Sequence, residues 1–260
     1  MSETIFDSHS HLDAAEFDED RATVVSRAES AGVRQQLIPA VEHAGWPKLK
    51  AVCALAPGLY PAYGLHPMFL RAHEPAHLRA LAVWVLQEKP VAIGECGLDF
   101  LIDDLDPDTQ RYYFREQLQI ARTFDLPVIV HARRAVEEVI ATIRNVGSLR
   151  GVVHSYSGSA EQARQLFNLG FSLGIGGPVT YERARRLRSL VTTMPLQALL
   201  LETDSPDQPD ALHRGQRNEP ARIVTVLETV AALRNMPVQE LARATRQNAE
   251  RLFGIRPLPG

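Results

Sequence analysis

Ile5-Phe6-Asp7-Ser8-His9-Ser10-His11-Leu12-Asp13 is a short apolar run that opens into an Asp-x-His-x-His sequence. Strand side chains alternate between two faces, so Asp7, His9 and His11 share one side of the strand end that carries them. Two imidazoles and a carboxylate so arranged make half of a divalent-metal site. A lone His-x-His is more often a polar strand end bonded to neighbouring loops, and Asp7 suits the support of a ligand as well as the role of one. What lies elsewhere in the chain decides between these.

Outward from this stretch, apolar runs ending in a metal-capable side chain recur. Further strands are expected at residues 36–40, 59–64, 91–95, 127–131, 151–154, 171–175 and 198–204. Helical spacing covers residues 18–31, with Asp18 as its cap, then 46–56, 75–87, 107–124, 137–146, 159–169, 181–192, 220–233 and 238–253. Parallel strands need helical crossovers, and eight strand-helix units in roughly 250 residues are the size of a closed (β/α)₈ barrel. The runs are apolar without alternation, as in strands buried on both faces. No Pro/Gly/Ser-rich linker interrupts them, so residues 1–260 are expected to form one α/β domain, a TIM-type barrel.

Composition sets outer limits. At 45% hydrophobic and 23% charged residues the 260-residue chain is ordinary for a soluble protein, and its net charge of −3 excludes a generally basic nucleic-acid-binding surface. Cys53 and Cys96 are far apart and outside any Cys-x-x-Cys pattern, so neither a disulfide framework nor a thiolate metal site is expected. The chain starts without a signal-peptide pattern and has no apolar run of membrane-spanning length. A cytoplasmic protein with no membrane association is the expectation; oligomeric state is left open, a monomer being compatible.

In such a barrel the carboxyl ends of the strands share one face. They carry His9 and His11 on the first strand, Glu95 on the fourth, His131 on the fifth, His154 on the sixth, and Glu202 with Asp204 on the eighth. His66 follows the third, whereas His43, His73, His77 and His213 lack strand-end context. A nitrogen and oxygen donor set without sulfur suits Zn²⁺, Mn²⁺ or Mg²⁺, and its size allows one or two ions, with Glu95 the natural bridge. Two metals about 3.5–4 Å apart can clamp the attacking and leaving oxygens of a displacement at phosphorus. Asp204 is the candidate both for ligand and for proton acceptor; Glu202, on the same face, is the candidate for supporting a ligand. Candidate substrate contacts are His66, Arg133 two residues beyond His131, Ser157 ahead of a helix, and Arg217 in the loop before the penultimate helix.

These residues assembled, the chain closely resembles the TatD family of metal-dependent deoxyribonucleases, within the amidohydrolase-like barrels. The matching stretches are Asp7-Ser8-His9-Ser10-His11-Leu12-Asp13, Gly64-Leu65-His66-Pro67, Gly94-Glu95-Cys96-Gly97-Leu98-Asp99, Val130-His131, Val153-His154-Ser155-Tyr156-Ser157-Gly158-Ser159, Glu202-Thr203-Asp204-Ser205-Pro206 and Arg217-Asn218-Glu219-Pro220. The resemblance implies that His9, His11, Glu95, His131, His154 and Asp204 hold divalent metal. It also implies hydrolysis of phosphodiesters in nucleic acid, DNA or RNA, of exonuclease type. Ile175-Gly176-Gly177-Pro178-Val179-Thr180-Tyr181 resembles the YjjV-like subgroup. Ser10 stands where many members have Cys, and Ser155-Tyr156 where Cys-Phe is common, without loss of a candidate ligand. Two alternatives stay open: hydrolysis of a small ester, lactone or amide by the same centre, and a non-catalytic binding protein with a vestigial site.

Overall fold

The computed structural model describes residues 3–258. Eight strands, β1 (Ile5–Asp7), β2 (Val33–Pro39), β3 (Leu59–Tyr63), β4 (Ala92–Asp99), β5 (Val128–Arg133), β6 (Gly151–Val153), β7 (Phe171–Ile175) and β8 (Leu199–Leu201), pair in chain order. Every pairing is parallel. Closure comes just past the ends of β8 and β1, where Leu201 O accepts from Ser8 N, His9 O from Asp204 N, and Ser205 O from His11 N, at 2.7–2.9 Å. The bonds that close the barrel therefore bring the first and last chemical stretches together.

Around the sheet lie α1 (Arg21–Ser30), α2 (Trp46–Cys53), α3 (Pro75–Glu88), α4 (Pro107–Thr123), α5 (Val136–Val146), α6 (Ala160–Asn168), α7 (Arg185–Thr193), α8 (Ile223–Arg234) and α9 (Val238–Phe253). Local chemistry explains several of their starts. Ser159 and Gln162 form a reciprocal capping box at α6, and the Asp106 side chain accepts from Thr109 N at α4. Asp18 does not cap α1 as expected. The chain first makes a 3₁₀ turn at Ala15–Phe17 that buries Phe17, and the Asp18 carboxylate pairs instead with Lys48 (2.7 Å) and Arg21. α8 begins three residues after its expected start because Pro220–Arg222 makes a 3₁₀ turn first, and α7 begins at Arg185 rather than at 181.

The side chains sort into two layers. The larger apolar cluster lies between sheet and helices and contains Ile93, Cys96, Val128 and Val130 with helix residues such as Leu81, Phe114 and Ile140. A smaller one takes Phe6, Leu37, Ala62, Ala92, Ile129, Val152 and Leu200 from seven strands, together with Ala249 and Phe253 of α9. β7 instead places Gly174 beside Leu200, and a Cβ there would lie 1.9 Å from Glu202 Oε2, so the glycine makes room for that carboxylate. Among the described residues no helix is long and apolar enough to cross a membrane.

Candidate metal centre

Glu95 is the hub of the polar face. Burial leaves it 1% exposed, and its two oxygens meet different imidazoles. Oε2 stands 3.1 Å from His9 Nε2 and 3.6 Å from His11 Nε2. Oε1 stands 2.7 Å from His154 Nε2, 3.2 Å from His131 Nδ1 and 2.9 Å from His66 Nε2. Asp204 Oδ1 completes the first group, 3.5 Å from His9 Nε2 and 3.6 Å from His11 Nε2. β4 delivers Glu95 where the β3 loop, β5, β6 and the closure of β8 on β1 converge.

Hydrogen bonds at the outer edges of the rings select which nitrogen faces inward. His11 Nδ1 lies 3.2 Å from Pro39 O, so the proton sits there and Nε2 presents a lone pair. His131 Nε2 lies 3.0 Å from Asp99 Oδ2, which leaves its Nδ1 lone pair facing Glu95. The inward nitrogens of His9 and His11 are 3.2 Å apart, and those of His131 and His154 3.3 Å. His66 Nε2 lies 2.9 Å from Glu95 Oε1, while Glu95 Oε2 lacks a hydrogen-bond partner. Inward-facing imidazole nitrogens around a buried carboxylate fit divalent cations, one or two, and oxygen and imidazole donors suit them chemically. Three-residue groups placed to hold an ion occur among the described residues at His9, His11 and Glu95, at His9, His154 and Glu202, and at His66, Glu95 and His131.

His66 differs from the others. Its Nδ1 accepts from Met68 N at 3.0 Å, so the proton is carried on Nε2, the atom beside Glu95. Burial pushes its pKa down to about 4, which keeps the ring neutral. Burial alone would raise Glu95, but His154, His66 and His9 hold it well below the usual carboxylate range. Asp204 is raised by burial, and its Oδ2 accepts from Gln208 Nε2, leaving Oδ1 to face the imidazoles.

Asp7 lies outside the donor ring: it accepts from His9 N (3.2 Å), Thr203 N (3.0 Å) and Thr203 Oγ1 (2.6 Å), tying β1 to the end of β8. Burial pushes it up to about 7 against those bonds. Glu202 accepts from Ser155 N and stands 3.8 Å from His154 Nδ1, with burial raising it to about 8. Arg133 is at the rim with its guanidinium 3.9 Å from Asp99. Ser157 is exposed in the next loop and lines, with Phe100, Arg134 and Gln162, a cavity of about 450 Å³. Arg217 is not brought to the cluster. Its guanidinium bonds to Asp20 (2.8–2.9 Å) and Glu16 O (2.6 Å) and covers the Phe17 ring, because the α1 side of the loop offers it a paired carboxylate and an aromatic face.

Several supporting residues escape the strand-end pattern. β4 runs to Asp99, four residues past its expected end at Glu95, after a shift in register between Ile93 and Cys96. Asp99 is thereby beside His131; its signals in the sequence were parity with Glu95 along the strand and its place at the end of the Gly94–Asp99 family stretch. On α4, buried Gln110 accepts from Asp99 N (2.8 Å) and donates to Asp99 O (2.9 Å). Seven residues on, Gln117 does the same for Leu65, accepting from its N (2.7 Å) and donating to its O (3.0 Å). Polar residues at a buried helical spacing were the only trace of these two in the sequence.

A family model described as TatD-related DNase matches residues 6–254. The chain belongs to the TatD-related DNase family. It is a TatD-family metal-dependent hydrolase by that membership and by the His/Glu cluster just described. The metal-dependent hydrolase YjjV of Escherichia coli K12 is 38% identical over 253 residues, 96% of this chain and 97% of that one. The crystal structure of YjjV superposes with a TM-score of 0.93, covering 97% of this chain and 98% of that one at 36% identity. A Salmonella typhimurium protein named 3'-5' ssDNA/RNA exonuclease TatD is 35% identical over 261 residues, 96% of this chain and 99% of its own length. The TatD relationship thus runs through nearly the whole barrel, including every strand end that carries the centre.

Proposed function

We propose that this TatD-family protein hydrolyses terminal phosphodiesters of nucleic-acid strands, DNA first and RNA second, with one or two divalent ions held by His9, His11, Glu95, His131, His154 and Asp204. The observation that carries the proposal is the division of the Glu95 oxygens between two sets of inward-facing imidazole nitrogens. A divalent cation held there supplies positive charge that polarises a phosphodiester and makes water a stronger acid. The exonuclease name of the Salmonella relative supports the choice of strand ends.

The chain's own residues account for the rest. Asp204, with Oδ2 occupied by Gln208, keeps Oδ1 free to accept a proton from water. His66 Nε2–H, set by the Met68 bond to its other nitrogen, lies 2.9 Å from Glu95 Oε1 and turns to a phosphoryl oxygen when substrate enters. Arg133, half exposed and with Asp99 only 3.9 Å away, holds a non-bridging oxygen from the rim. Ser157 hydrogen-bonds the strand further out. Asp7 and Glu202 hold ligand-bearing segments in place. Two free cysteines fit a reducing cytoplasm, and a monomer is sufficient because the donors all come from one chain.

The test is nucleotide release from defined single-stranded and duplex DNA by protein supplied with Mg²⁺, Mn²⁺ or Zn²⁺. Asp204→Asn and His131→Ala are each expected to lower kcat by at least about 100-fold in protein that still folds. Full activity in both variants would remove this centre from the reaction.

A further inference from the structure

Met68, Phe69 and Leu212 are exposed by 45%, 40% and 76%, and all three lie in loops that follow strands at their carboxyl ends. The other exposed large apolar side chains, Leu55, Val83, Leu86 and Val238, sit on or beside α2, α3 and α9. Single exposed apolar residues need no explanation, so position is what distinguishes Phe69. Its ring centroid is 6.1 Å from that of His66, edge to face, and His66 Nε2 is 2.9 Å from Glu95 Oε1.

The segment that presents this ring is held at several points. Phe69 N donates to His66 O (3.0 Å), Met68 N to His66 Nδ1 (3.0 Å), and His73 Nε2 lies 2.8 Å from His66 O. Within the 3₁₀ segment Pro67–Ala72, Phe69 alone leaves helical geometry, at φ −98° and ψ 19°. This sparsely populated backbone region recurs at functional sites. Arg71, the one cation of the segment, is paired with Asp104, and the exposed apolar surface beside it is made by Met68 and Phe69.

We propose that Phe69 is the stacking platform for the terminal base of a strand whose phosphodiester lies at the Glu95 centre. The proposal rests on the phosphodiester reading above and adds to it the part of the substrate that is bound outside the metal ligands. A base is joined to its phosphate through one sugar, and Phe69 is one side chain removed from His66, so a single nucleotide spans the two. Stacking of a base on an aromatic side chain tolerates every base, because each has a π face. The enzyme should therefore require a base at the strand end without selecting which one.

The experiment compares two single-stranded oligonucleotides that differ only in whether the terminal residue carries a base or is abasic. Wild-type, metal-loaded protein is expected to prefer the base-bearing end by about tenfold in kcat/KM. In Phe69→Ala that preference falls to about onefold, and in Phe69→Trp it persists. As a readout independent of turnover, terminal 2-aminopurine should lose fluorescence on binding to wild type and to Phe69→Trp, and keep it with Phe69→Ala. Equal use of both ends by wild type, or an undiminished preference in Phe69→Ala, overturns the platform while leaving phosphodiester hydrolysis standing. Hydrolysis of neither oligonucleotide by wild type overturns the underlying reading, and the platform with it.

Discussion

At the scale of single residues, the inward nitrogens are chosen by partners that never touch substrate. Asp99 takes the Nε2 proton of His131 and so commits Nδ1 to the centre, as Pro39 O does for His11. Asp99→Ala removes that acceptor and frees the ring to turn. The expected result is a loss of about 10–100-fold in divalent-metal affinity, read by calorimetric titration, beside a stability loss of roughly 1–3 kcal/mol from the unpaired His131 and Leu101 donors. Unaltered affinity would show that packing alone orients His131. His66 illustrates the opposite case: Met68 N occupies its Nδ1, so an N–H rather than a lone pair faces Glu95.

At the scale of elements, α4 does more than cover the sheet. Gln110 and Gln117 supply to Asp99 and Leu65 the paired donor and acceptor that a neighbouring strand would give, beyond the point where β3 and β4 stop pairing with each other. Either Gln→Leu change strands a buried N–H and a buried C=O, and a loss of roughly 2–4 kcal/mol in urea-unfolding stability is expected. The two should differ in function. Gln110→Leu acts through Asp99 on His131 and is expected to weaken metal binding; Gln117→Leu acts through Leu65 on His66 and is expected to lower kcat with metal affinity intact. Identical functional profiles would mean that α4 contributes stability alone.

At the scale of the whole molecule, the barrel concentrates buried carboxylates and imidazoles from both chain ends on one face, an arrangement that a bound cation stabilises. Divalent ion at about 1,000 times its Kd adds about 4 kcal/mol to the folded state. For a chain of this size that raises Tm by roughly 8–16 °C, reversed by chelator and largely absent in His131→Ala. A shift under about 2 °C in scanning calorimetry would argue against a cation-holding centre. The fold was legible because its signals are local: apolar runs of strand length, helical spacing between them and their number determine a parallel barrel. The convergence of His9, His11, Glu95, His131, His154 and Asp204 was legible too, since strand ends of such a barrel share one face. The sequence by itself determined the barrel and the strand ends that meet on its polar face. Only the tertiary structure decided which atoms face inward, that Asp99, Gln110, Gln117 and Gln208 support them, and that Arg217 turns away to Asp20. Those outcomes depend on hydrogen bonds between segments remote in the chain, whose register no local pattern encodes.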